Sequence, residues 1–232
     1  MIKFLRIAGI TFLVLILGLF VFYFIQNESL PEGQPSAEAD ALAERMLTAM
    51  NKSAWDSTKS VSWTFRGANT YEWDRVNHEV TVQWSDIEVR LKPDTREGIA
   101  TKSGAEALSA EDHDRYVKIA WDFFNNDSFW LAAPYKAFDP GTERSIVTCA
   151  DGRQGLMVTY TSGGTTPGDS YVWILGEDDR PVACKMWVQI IPIGGIEFSW
   201  ENYKTLPSGA IVAQDHIALG LLNVDLTNLS AR

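Results

Sequence analysis

Apolar and polar positions along the chain fall into three regimes. Residues 7–27 carry no charge, and 7–25 are almost wholly apolar. Leu42, Met46, Ala49 and Met50 then recur at helical spacing and predict an amphipathic helix over 37–51. From Ser60 the period drops to two. Apolar residues alternate in Val61, Trp63 and Phe65, in Tyr71 and Trp73, in Val80, Val82 and Trp84, and in Ile87, Val89 and Leu91. This alternation predicts antiparallel strands with one face packed and the other wet. A second helix is predicted over 109–125, with Ser109 as N-cap, Glu111 and Asp112 in the first turn, and Tyr116, Ile119, Ala120, Phe123 and Phe124 as its apolar face. The polar run 125–128 reads as its end, the aromatic run 129–135 follows, and 139–142 reads as a turn. Strands resume at 144–150, 156–161, 170–175, 182–191, 196–203 and 211–222.

Strands in direct succession exclude the βαβ units of a nucleotide fold. The pattern predicts an α+β plan: one strongly curved antiparallel sheet, an unclosed β-barrel, with the two helices on its concave side. It also divides the chain into an N-terminal segment 1–27, a linker 28–36 with two prolines and a glycine, and a domain 37–232.

The N-terminal segment predicts one transmembrane helix before the domain. The apolar run at ~1.5 Å per residue matches the roughly 30 Å hydrocarbon core of a bilayer. Lys3 and Arg6 precede the run and Glu28 follows it, which puts the N-terminus in the cytoplasm and the domain outside. The alternative is a cleaved signal peptide and a secreted domain. The run is longer than a signal's apolar region, and the nearest small-x-small site, Ala37-Glu38-Ala39, lies well beyond it. The expected location is therefore the bacterial inner membrane, single-pass, with the domain facing the periplasm.

Composition narrows the function. The formal charge is −10, and the two basic residues of the N-terminal segment make the rest more acidic still, which disfavours nucleic acid as a partner. Cys149 and Cys184 each fall in a strand-like segment. They could pair across a sheet in an oxidising compartment, or both could be small buried hydrophobes.

No nucleophile elbow, Walker loop, dinucleotide fingerprint, zinc-protease or calcium-loop pattern occurs. The three histidines, His78, His113 and His216, are scattered, so no metal site is expected. Glu197, Ser199 and Glu201 alternate with Ile196, Phe198 and Trp200 and read as the wet face of a strand. No catalytic residue, cofactor or enzymatic activity is expected. The aromatic residues stand out instead: nine Trp, several on the apolar faces of strands. Such rings either fill a core or line a cavity for an apolar ligand, and the candidate walls are Trp63, Phe65, Trp73, Val82, Trp84, Phe123, Phe129 and Trp130.

Several short motifs occur in a fixed order: Trp55-Asp56-x-Thr58, Trp63-x-Phe65 with Gly67, Trp73-Asp74-Arg75, Asn126-Asp127-Ser128-Phe129-Trp130-Leu131-x-x-Pro134-Tyr135-Lys136, Asp139-Pro140-Gly141, Gly164-x-Thr166-Pro167, Gly194-Gly195-Ile196 and Trp200. This order resembles an uncharacterised bacterial exported family whose fold is like that of the outer-membrane lipoprotein carriers LolA and LolB. The resemblance covers the chain from about Trp55 to His216. It implies an unclosed barrel capped by helices around an apolar cavity for acyl chains. The resulting expectation is a membrane-anchored, non-enzymatic binding domain for a lipid or other apolar ligand. The alternatives are a protein-interaction or structural module with a filled barrel and, third, a hydrolase using acidic residues. The sequence names no protein partner.

Overall fold

The structure is a computed structural model that describes residues 2–105, 108–162 and 167–232, and side chains from Thr11 onward apart from Leu19. Lys3, Arg6, Gly164 and Thr166, all used in the reading above, lie outside what is described, as side chains or altogether. The chain begins with α1 (Ile2–Gln26), α2 (Ala37–Ala49) and α3 (Lys52–Ser57). Five strands follow: β1 (Ser60–Phe65), β2 (Asn69–Asp74), β3 (Glu79–Trp84), β4 (Ile87–Lys92) and β5 (Glu97–Lys102). After α4 (Ala110–Ala132) and a 3-10 turn at Ala133–Lys136 come β6 (Thr142–Thr148), β7 (Gln154–Tyr160), β8 (Ser170–Leu175) and β9 (Pro181–Trp187). The chain closes with β10 (Ile196–Ser199), β11 (Glu201–Thr205), β12 (Ile211–Ala218) and β13 (Leu222–Ala231).

Local chemistry sets the helix starts. The Ser36 hydroxyl accepts the Ala39 N–H at 3.1 Å, and Ser109 accepts that of Asp112 at 3.1 Å. Acidic residues in both first turns face the helix dipole. Alternation sets the strands. Trp63 stands opposite Tyr71, Tyr71 opposite Val82, Val82 opposite Val89, and Val89 opposite Ala100. All five are buried, so one row of side chains crosses the sheet on a single face.

The class is α+β, but the expected single curved sheet is two sheets. One has eight strands in the order β11-β12-β13-β1-β2-β3-β4-β5, the other five in the order β10-β9-β8-β7-β6, and neither closes into a barrel. The division falls at Trp200, between β10 and β11. The Trp200 N–H donates to the Val182 carbonyl at 2.9 Å, toward β9, while the neighbouring Ser199 hydroxyl accepts the Ile217 N–H at 3.0 Å, toward β12. One extended stretch thus bends and hands its two halves to different sheets. The helices are divided likewise: α4 packs on β3, β4, β5, β12 and β13, and α2 on β6 and β7.

The expected transmembrane helix is also corrected. Among the described residues no helix is long and apolar enough to cross a membrane.

Residues 28–36 do not hang free. Glu28 N–H donates to Gly194 O at 2.9 Å, Gly194 N–H to Asn27 Oδ1 at 2.8 Å, and Trp187 Nε1–H to Glu28 O at 2.9 Å. Lys185 Nζ lies 2.8 Å from both Glu28 carboxylate oxygens and 3.1 Å from Asp151. Further along, Pro35 bridges to Ser145, and a Cβ on Gly33 would come within 2.7 Å of Ser145 Oγ and Val147 Cγ1. Only glycine permits that approach. This strap runs beside a second apolar cluster on the five-stranded sheet, formed by Val147, Cys149, Met157, Val172, Ile174 and Ala183 with Trp187. Cys184 belongs to the main core instead, and both thiols are free.

Candidate functional site

The eight candidate wall residues divide into two groups. Trp63, Phe65, Trp73, Val82, Trp84 and Phe123 lie between α4 and the eight-stranded sheet, where Trp63 stacks on Tyr71 with centroids 4.4 Å apart. Phe124 meets Trp73 edge-on at 5.3 Å, and Phe123 meets Trp84 edge-on at 5.4 Å. Phe129 and Trp130 sit at the joint between the sheets. Phe129 touches Tyr171 at 4.7 Å, and Trp130 touches Phe198 at 4.7 Å and stacks on Trp200 at 5.9 Å. These are ordinary contact distances for aromatic rings, so the rings fill the space between them. Trp63, Phe65 and Val82 are buried, while Trp73, Trp84, Phe123, Phe129 and Trp130 are half-buried.

Polar groups are set into this apolar interior. Asp127 projects from α4 toward β2. The Tyr71 hydroxyl and Asn69 Nδ2 both donate to its Oδ2, the latter at 2.9 Å, and Asn126 Nδ2 donates to Oδ1 at 2.8 Å. Burial raises the pKa of Asp127, with these donors pulling the other way, and burial together with the neighbouring carboxylate raises that of Tyr71. The carboxyl is enclosed and satisfied, without the access to substrate that acid-base catalysis requires. His216 is fully buried between Trp130 and Trp200, 5.3 and 3.8 Å away by centroid. Neither of its ring nitrogens makes a well-formed hydrogen bond, nor does Trp63 Nε1.

The motif residues serve the framework. The Arg75 guanidinium lies over Trp55 at 4.5 Å and Trp73 at 5.3 Å, and donates to the carbonyls of Trp55 and Thr58. Tyr135 stacks on the same Trp55 at 4.6 Å, nearly parallel. Its hydroxyl oxygen is 2.8 Å from Met50 O and 2.5 Å from Ile211 O, and accepts the Ile211 N–H at 3.0 Å. The C-terminus of α2, the loop after α4 and the start of β12 are thereby joined.

Open clefts lie on the surface among the described residues. One of about 270 Å³ is lined by Asp56, Trp73, Arg75 and His78, and one of about 430 Å³ by Glu72, Asp74, Glu79, Arg90 and Arg232 among others. A third, of about 340 Å³, lies where α1 meets the domain, against Ile25, Glu28, Lys185, Glu197 and Leu219. Of the eight wall candidates only Trp73 reaches any of these clefts. Among the described residues no group of three His, Cys, Asp or Glu is placed to hold a metal ion.

Sequence reasoning missed Asp127 and the ion cluster of Glu28, Lys185, Asp151, Arg153 and Glu197. An acidic residue flanked by aromatics on both sides was the available signal for the first. The second joins segments far apart in the chain and leaves no local sign.

No protein-family pattern matches the chain, and no curated protein matches it. Among solved structures it is similar to a DUF1329 family protein from Desulfovibrio piger, at 11% identity, covering 85% of this chain and 93% of that one with a TM-score of 0.39. A likeness this distant assigns no residue a role.

Proposed function

We propose that this chain is a non-enzymatic protein-interaction or structural module with a filled interior, on the periplasmic side of a bacterial inner membrane. The observation that supports a filled interior is that Trp63, Trp73, Trp84, Phe123, Phe129 and Trp130 each meet another aromatic ring at contact distance, while the clefts of several hundred Å³ are open, partly polar and reached by Trp73 alone of the eight. A carrier of acyl chains needs an apolar cavity of at least about 300 Å³. The carrier reading, with its LolA-like resemblance, is favoured by a different observation: Trp84, Phe123, Phe129 and Trp130 remain half-exposed.

Native mass spectrometry of the purified chain, with titration of an environment-sensitive fatty-acid probe, separates the two. The expected result is no retained lipid and no saturable binding at micromolar concentration. A co-purifying lipid, or tight probe binding that Trp84→Leu weakens, would restore the carrier.

A further inference from the structure

Three segments without charge meet at one end of the molecule. The first is the turn between β12 and β13, where Leu219, Leu221 and Leu222 are 51%, 91% and 40% exposed. The second is the loop 188–195 between β9 and β10, with Ile190 72% exposed. The third is the end of α1, where Phe24 and Ile25 are 64% and 70% exposed. No Asp, Glu, Lys or Arg occurs in 216–224 or 188–196.

Strand pairing brings the three together. β11 runs antiparallel to β12 with Glu201 opposite Asp215, and the contact between Ser199 and Ile217 continues that alignment, so Gly195 arrives level with the turn. Gly194 holds Asn27 and Glu28 by two hydrogen bonds, and Ile25, Gly195 and Leu219 line one cleft. The nearest charges are already paired: Glu28 and Asp151 with Lys185, and Asp151 and Glu197 with Arg153.

The turn itself runs against the usual choice of residues. Leu219 and Gly220 have φ of 55° and 64°. They open the three-residue turn 219–221 that the pairing of Ala218 with Leu222 closes, and a leucine at positive φ there is strained. At this tip the chain has a strained leucine with a second, almost fully exposed leucine two residues on.

We propose that this end is a lipid-contact surface, with the leucine turn and the Ile190 loop seated at the boundary between headgroups and acyl chains. The occupant follows from continuity. The patch borders the apolar end of α1, whose described side chains from Phe12 to Ile25 are exposed and uncharged and need apolar surroundings. The acidity of the chain as a whole directs the patch to zwitterionic rather than anionic lipid. The inference does not depend on whether the interior is filled.

The test uses the full chain with phosphatidylcholine vesicles. Leu221→Cys carries an environment-sensitive fluorophore, which the two buried native thiols leave undisturbed. Val76→Cys is the comparison: it is 62% exposed in the turn between β2 and β3, which the register places at the opposite end of the sheet. Vesicles should shift the Leu221→Cys emission to the blue, brominated acyl chains should quench it several-fold more than at Val76→Cys, and Leu219→Asp with Leu222→Asp should abolish both effects while leaving the far-UV spectrum unchanged. An unshifted fluorophore, or equal quenching at both ends, overturns the proposal. A blue shift that needs no vesicles and grows with protein concentration also overturns it, because a second copy would then be the occupant.

Discussion

His216 shows what a single buried ring does to stability. Loss of hydration pushes its pKa down to about 3, against a smaller upward pull from the backbone at Ser199 and Trp130. An unfolded histidine titrates at ~6.5. Between those values the unfolded chain binds a proton that the native chain refuses, so this residue makes stability rise with pH until the rise ends near 6.5. Replacing His216 by Leu should leave urea stability at pH 7 within about 1 kcal/mol, since no hydrogen bond of good geometry is lost. At pH 5 the variant should be more stable than the parent by about 2 kcal/mol. An unchanged pH slope would refute the assignment. At this scale the sequence was readable where a residue's own neighbours decide its place. Trp63, Val82 and Val89 follow from alternation alone, whereas His216 read only as a residue late in a strand, because Trp130 and Trp200, which enclose it, are distant in the chain.

The elements reward and defeat sequence reading for equally physical reasons. Strands β1 to β4 and the start of α4 match the periodicity and the Ser109 cap. The helix was expected to end at 125–128, yet α4 continues to Ala132, because Asn126 and Asp127 spend their side chains on each other and on Tyr71 and Asn69 rather than on breaking the backbone. The strand expected over 211–222 ends at Ala218 as β12, and β13 went unread, because the Leu-Gly-Leu turn between them lacks the usual Asn, Asp or Pro. The bend at Trp200 left no mark, since Ile196, Phe198 and Trp200 alternate without a break. The strap gives the prediction at this scale. Lys185 is 3% exposed, and although burial works against its charge, Glu28 and Asp151 outweigh that and hold its pKa above the ordinary value. Lys185→Met should cost about 2 kcal/mol, the worth of a hydrogen bond to a charged group. It should also speed proteolytic cutting within 28–36 several-fold. An unaltered cleavage rate would mean that the backbone bonds to Gly194 and Trp187 hold the strap unaided.

For the whole molecule, the two sheets share one main core, beside the smaller cluster on the five-stranded sheet. Met46 from α2, Trp63 from the larger sheet, Trp173 from the smaller, and Trp200 at their joint belong to one continuous cluster. Trp200 meets Trp173 edge-on at 5.0 Å and stacks on Trp130 from α4. With no layer able to lose its packing alone, unfolding should be a single cooperative step. Urea curves followed by tryptophan fluorescence and by far-UV circular dichroism should superimpose. Separated midpoints would mean that the five-stranded sheet and α2 form a unit of their own.

The docked strap also sets how far the domain can travel. Nine free residues would let it wander roughly 15–18 Å from the end of α1, on the scaling of a flexible chain. Fastened through Asn27, Glu28, Gly33 and Pro35, the segment has no slack to give. The domain then keeps one bearing relative to α1, and the leucine turn faces the same way in every copy. Anything that engages the distant face, with Val76 and His78 at its edge, has to come to it.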